Sequence, residues 1–226
     1  TDSIGTSFYF KLNGKPIFIK GANYIPQSSF LTDVTAEKYQ NLLMMSKEAN
    51  MNMLRVWGGG IYEQDIFYNL CDSLGILVWQ DMMFACSLYP TLEDDFISSV
   101  KEEINQNIKR LQKHPCIALW CGNNEVDVAW HNWGWQQQFG YNSKDSAIIW
   151  EGHIKLFENI IPGIIQDLDN RPYIPSSPQS NWGNKENFNH GCMHYWDVWH
   201  GKKDIDAFKY HVGRFMAEYG FQSYPS

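Results

Sequence analysis

No stretch of the sequence stays apolar long enough to cross a bilayer. Runs such as Ile76 to Trp79 and Cys116 to Trp120 fall far short of the roughly 20 residues that a spanning helix needs. The polar start, Thr1 to Ser7, carries no signal-peptide pattern. Positive charge is also in deficit, with 18 Lys and Arg against 25 Asp and Glu, a formal net charge of −7 and a pI of about 5.4. Such a field repels polyanions, so the expectation is a soluble chain with neither nucleic acid nor membrane as partner and with a neutral or cationic substrate. The five cysteines (71, 86, 116, 121 and 192) include no Cys-x-x-Cys pair, which argues against a disulfide framework or a zinc ribbon. Internal repeats, low-complexity tracts and interdomain linkers are missing too, so the 226 residues read as a single domain.

Aromatic residues, by contrast, are abundant: 10 Trp, 12 Tyr and 13 Phe. Many adjoin Asn, Gln, His or Gly, as in Asn132-Trp133-Gly134-Trp135, Asn181-Trp182-Gly183 and His194-Tyr195-Trp196. Flat apolar faces beside neutral hydrogen-bonding groups suit sugar rings, although core packing and loop structure account for the same residues.

The chain opens with a hairpin pattern, Phe8 to Leu12 and Pro16 to Lys20 around Asn13-Gly14. Short β-rich runs then alternate with segments of helical period, the signature of parallel βα units. Expected strands are Ile17 to Lys20, Met53 to Trp57, Ile76 to Gln80, Cys116 to Trp120, Tyr173 to Pro175, Gly191 to Tyr195 and Arg214 to Glu218. Helices are expected from Thr35 to Asn50, up to Gly75, from a Thr91/Asp94 capping box to before Pro115, and from Ser146 with a break or restart at Pro162. Seven strands fit an α/β fold of the (β/α)8 TIM-barrel class, incomplete by its last βα unit.

Barrel active sites gather at the C-terminal ends of the strands. There, the fourth strand runs into Cys121-Gly122-Asn123-Asn124-Glu125 and the seventh into Glu218-Tyr219-Gly220. Strands three apart in such a barrel face each other across the mouth, so Glu125 and Glu218 can form the carboxyl pair that glycoside cleavage uses. Taken alone, Glu125 also reads as a turn carboxylate and Glu218 as a structural acid. His190, Cys192 and His194 alternate along one strand, yet no fourth ligand accompanies them, and no metal or other cofactor is expected.

The ordered set Arg55-Val-Trp-Gly-Gly-Gly-Ile-Tyr-Glu63, Val78-Trp-Gln-Asp-Met-Met-Phe-Ala-Cys86, His114-Pro-Cys-Ile-Ala-Leu-Trp-Cys-Gly-Asn-Asn-Glu125, His194-Tyr-Trp-Asp-Val-Trp-His-Gly201 and Glu218-Tyr-Gly-Phe-Gln-Ser223 resembles the barrel of glycoside hydrolase family 2 β-mannosidases over nearly the whole chain. That resemblance implies a retaining exo-β-glycosidase acting on β-mannosides, with Glu125 as acid/base and Glu218 as nucleophile. The ionised nucleophile is expected to hold the Glu125 carboxyl protonated. Asn124 would bond the 2-hydroxyl, Arg55 would orient Glu218, and Tyr195 would hydrogen-bond the nucleophile. Trp57, Trp133, Trp196 and Trp182 would wall the sugar pocket, His194 would bind sugar, and Asp81 would either bind sugar or brace Arg55. Sister activities of the family (β-galactosidase, β-glucuronidase, exo-β-glucosaminidase) and an inactive carbohydrate-binding fragment are the alternatives. The resemblance further implies that the chain is a fragment of a multidomain enzyme with N-terminal β-sandwich domains outside it, and the count of seven strands puts the eighth βα unit outside it as well. Periplasmic, secreted and lysosomal settings all remain open.

Overall fold

The computed structural model describes residues 1–181, 183 and 185–221, so Trp182 lies outside the described residues. Asn13 and Gly14 take φ of 51° and 78°, as a tight turn between right-twisted strands requires. They join β1 (Phe10–Leu12) to β2 (Lys15–Ile17) as an antiparallel hairpin. Since the hairpin uses Lys15–Ile17, the first strand of the parallel sheet is not Ile17 to Lys20 but β3 (Gly21–Tyr24). Asn52 fixes this entry, accepting from the Lys20 N–H at 2.9 Å and donating its own backbone N–H to the Lys20 carbonyl at 2.8 Å. A Cβ on Gly21 would lie 2.0 Å from the Met53 carbonyl oxygen, so only glycine lets β3 approach so closely.

β4 (Met53–Val56), β5 (Leu77–Asp81), β6 (Ile117–Asn124) and β7 (Tyr173–Ser177) continue the parallel ladder in chain order. A second parallel sheet holds β8 (Ser180–Asn181), β9 (Cys192–Tyr195) and β10 (Phe215–Tyr219), in the order β10-β9-β8. Side chains join the sheets at both flanks. Asn23 Nδ2 donates to the Ala217 carbonyl at 3.1 Å, and Ser177 Oγ lies 2.9 Å from His194 Nε2. Among the described residues no ladder pairs β3 with β10.

Thr35 caps α1 (Ala36–Glu48) by accepting from the Lys38 N–H, and α2 (Asp65–Leu74) ends on Gly75 at φ 69°. The expected Thr91/Asp94 capping box does not form. Glu93 is the N-cap of α3 (Asp94–Leu111) without a side-chain cap bond, and Thr91 is buried against Gly152 instead. The aromatic stretch after β6, expected as a loop, is helical in α4 (Val126–Asn132) and α5 (Trp135–Gln138). At Pro162 the helix restarts rather than breaks, with the proline in the first turn of a new α-helical segment. From α6 (Ser143–Ile154) the helix passes through a π-helical segment, Lys155–Ile160, into α7 (Ile161–Leu168). The wider π turn just before the proline accommodates a residue that has no N–H to donate and a ring that crowds the preceding turn.

Each central strand buries both faces, as parallel strands do. Leu54, Val56, Val78 and Trp120 pack outward against Leu43, Phe67, Ile104, Ile108 and Phe157 of the helical layer. Inward, Met53, Trp79, Leu119, Cys121, Ile174 and Cys192 form a second cluster, against which Phe8, Phe10 and Phe215 pack. Two residues further along each strand the same inward face turns polar: Arg55 follows Met53, Asp81 follows Trp79 and His194 follows Cys192. That change of character locates the candidate site at the C-terminal end of the strands. Among the described residues no helix is long and apolar enough to cross a membrane.

Candidate active site

Arg55, 4% exposed, is the hub of this polar layer. Its Nε and Nη2 both reach Asp81 Oδ2, at 3.1 and 2.8 Å, while Nη2 also donates to Asn124 Oδ1 at 2.8 Å. Nη1 donates to Glu218 Oε1 at 2.7 Å and to Asn23 Oδ1 at 3.3 Å. Burial disfavours the guanidinium charge, but Asp81 and Glu218 more than offset it, so the pKa of Arg55 rises rather than falls. Asp81 is fully enclosed; Trp79 Nε1 and the Gly58 N–H donate to it at 2.9 and 3.0 Å. It therefore braces Arg55 and has no surface left to offer a sugar.

Glu218 reaches the interior through an irregularity. The β9–β10 register runs Phe215 to Cys192, Met216 to Met193 and then Glu218 to His194, skipping Ala217. Phe215 and Ala217 both pack on the inner cluster, so strict alternation would send Glu218 outward; the bulge re-aims it inward. Trp196 Nε1 then donates to Glu218 Oε2 at 3.0 Å.

Glu125 follows β6 directly at φ 63°, a left-handed conformation that a non-glycine residue holds only under local constraint. The constraints are explicit. Its N–H donates to the Ser177 carbonyl at 2.8 Å, and Asn123 Oδ1 accepts from the next N–H, that of Val126, at 3.1 Å. Its side chain meets His194 Nδ1 at 2.7 Å through Oε1, and Cys86 Sγ at 3.5 Å through Oε2. Burial, the largest single influence, pushes the carboxyl pKa up, yet the net shift is downward, because the hydrogen bond and charge of His194, the Cys86 contact and the charge of Arg55 together outweigh it. The expected upward bias from Glu218 is therefore not the net outcome.

His194 stands between the two acids. Its Nδ1 is 2.7 Å from Glu125 Oε1 and 3.3 Å from Glu218 Oε2. One oxygen of each glutamate and a ring nitrogen of His194 all lie within 4.8 Å of one another.

No family model matches the chain. Among curated proteins, the rat (Rattus norvegicus) β-mannosidase is 46% identical over the full chain, and β-mannosidase B of Thermothelomyces thermophilus is 37% identical over 98% of it. The crystal structure of the β-D-mannosidase from Dictyoglomus thermophilum covers the whole chain at 45% identity with a TM-score of 0.86. The chain belongs to the β-mannosidase family. It spans 26% of the length of each of these three relatives. A β-glucuronidase structure from Bacteroides uniformis, 19% identical with a TM-score of 0.62, shares the fold. Together these relationships place the chain in that family, on a fold of parallel α/β sheets.

Within this β-mannosidase-family site, the structure brings together Arg55, Asp81, Asn124, Glu125, His194, Trp196 and Glu218. Tyr195 is not among them. Successive residues on β9 point to opposite faces, and Tyr195 packs among Phe188, Phe208 and His211, its ring stacked on the last at 5.2 Å. The nitrogens facing Glu218 belong to Arg55, Trp196 and His194. Trp57 follows β4 and lies over Gly59, where a Cβ would fall 1.9 Å from the indole. Trp133 sits at the end of α4, 47% exposed and edge-on to Trp135. Neither ring makes a polar contact with the glutamates among the described residues. His190 bonds the Thr6 hydroxyl at 3.4 Å, away from Cys192 and His194, so the alternating trio does not converge. Two contributors escaped the sequence reading. Ser177 carries no motif signal, and Cys86 looks like any small apolar residue until the fold sets it, at φ 47°, beside Glu125.

Proposed function

We propose that this chain carries the catalytic centre of a glycoside hydrolase family 2 enzyme, a retaining exo-β-mannosidase working on a (β/α)8 scaffold. The observation that carries the reading is the spacing of the carboxylates: oxygens of Glu125 and Glu218 within 4.8 Å of each other suit direct attack on an anomeric carbon. Inverting enzymes need roughly 6.5–9.5 Å between the groups, to leave room for a water. Glu218 is the nucleophile, held by Arg55 through Oε1 and by Trp196 through Oε2. Glu125 protonates the departing oxygen and then, after Glu218 is esterified, takes the proton from water. Asn124, oriented by Arg55, is the partner for the 2-hydroxyl. Further domains of a longer protein complete the sugar pocket and close the sheet between β10 and β3.

A 2-deoxy-2-fluoro-mannosyl inactivator followed by mass spectrometry tests the nucleophile, with the label expected on Glu218. A label elsewhere rejects the assignment. A panel of nitrophenyl β-glycosides tests the sugar, and preferential release from galactoside or glucuronide rejects the mannoside.

A further inference from the structure

Among the described residues, the only ring that touches both acids is that of His194, which is 1% exposed and so is closed to solvent. Its Nδ1 lies 2.7 Å from a Glu125 oxygen and 3.3 Å from a Glu218 oxygen, an arrangement that a proton on that nitrogen satisfies when both acids are ionised. Behind it, Nε2 meets Ser177 Oγ at 2.9 Å and, at 3.4 Å, Arg55 Nη1, which can only donate. Ser177 also accepts the Glu125 N–H through its carbonyl, so one residue sets both the ring of His194 and the backbone of Glu125. Cys192 Sγ lies 3.7 Å from the same hydroxyl.

We propose that His194 is the positioning residue of the carboxylate pair: its single Nδ1–H, backed by Ser177, grips Glu125 in the free site and passes to Glu218 when a sugar engages Glu125. The proposal rests on the acid/base and nucleophile roles assigned above. It follows from a mismatch. A general acid works when protonated, yet the free site favours the Glu125 carboxylate, and the nearest cause that a 0.6 Å difference in contact distance could relax is His194 (2.7 against 3.3 Å). Other titratable groups facing Glu125 are Arg55 on β4, Cys86 after β5 and Glu218 on β10, with Asp81 paired to Arg55 and Asp127, in α4, paired to His153. Among them, only Cys86 and His194 hydrogen-bond the carboxylate directly. Burial itself pushes Glu125 up, so loss of the His194 bond releases that upward pressure.

The test is a pair of pH profiles on the intact protein with an aryl β-mannoside. The basic limb of kcat/KM reports Glu125 in the free enzyme and that of kcat reports it in the complex. In the wild type, the kcat limb should lie at higher pH than the kcat/KM limb. In His194→Leu, the kcat/KM limb should move to higher pH and the gap should shrink, with kcat falling about ten- to a hundred-fold for one charge-assisted hydrogen bond. His194→Asn, whose amide N–H reaches the Nδ1 position, should restore the limb. Ser177→Ala should move it the same way by less, and it carries the test if His194→Leu does not fold. Histidine 15N NMR should find the His194 proton on Nδ1. An unmoved limb, or a proton on Nε2 alone, overturns the positioning role while labelling of Glu218 still stands. Absence of that label overturns the underlying reading instead.

Discussion

Truncating Glu125 to alanine separates its roles by substrate. Glycosides with poor leaving groups need a proton and should slow by about 10²–10⁴-fold, whereas activated aryl glycosides should keep their first step, and added azide should rescue the second. An equal loss on every substrate without rescue would remove the acid/base assignment. At this scale the positions of Glu125 and Glu218 were legible, because residues at the ends of parallel strands form the mouth of such folds. The resemblance also set Arg55 beside Glu218, as the structure does, but not the histidine between the two acids. Tyr195 and His194 are adjacent in sequence, and only strand parity decides that His194 faces in while Tyr195 packs on Phe188, Phe208 and His211. Asp81 had two readings in sequence; its complete burial beneath Arg55 leaves the bracing one. Ser177 contributes one hydroxyl and one carbonyl from the end of β7, a role that no residue type advertises.

Elements of strong periodicity, such as α1, α2, α3 and β4 to β6, follow from the sequence closely, whereas irregular ones do not. β3 is Gly-Ala-Asn-Tyr, without a β-branched residue, and is a strand because Met53–Val56 supplies the ladder. The bulge at Ala217 has no sequence signature, yet it turns Glu218 inward. Gly122 gives an element-level test. A Cβ there would lie 2.3 Å from the Tyr173 hydroxyl and 2.4 Å from the Pro175 carbonyl oxygen. Gly122→Ala should therefore push β6 from β7 and cost about 1–3 kcal/mol, read as a lowered Tm or denaturation midpoint. Because Asn124 and Glu125 follow two and three residues later, kcat should fall as well. Unchanged stability would mean that β6 and β7 slide apart without cost.

For the whole molecule, the chain spans 26% of the relatives' length, and large apolar side chains lie open beside β10: Tyr219 at 58%, Phe221 at 60% and Val212 at 69% exposure. We expect the 226-residue chain to turn over an aryl β-mannoside far more slowly than a longer protein that adds the sequence present in the relatives, since near-attack geometry depends on a complete supporting shell. Equal kcat/KM in the two would mean that the chain is functionally sufficient. The sequence by itself determined the alternation of strands and helices, the polar switch at the strand ends and the pair of glutamates, because these depend on local period and on position along each strand. Only the tertiary structure decided that β3 begins at Gly21, that Glu218 turns inward, that Arg55 joins Asp81, Asn124 and Glu218, and that His194 bridges the acids. Register, bulges and side-chain facing are set by contacts between segments far apart in the chain, and such contacts leave no periodic trace in the residues that make them.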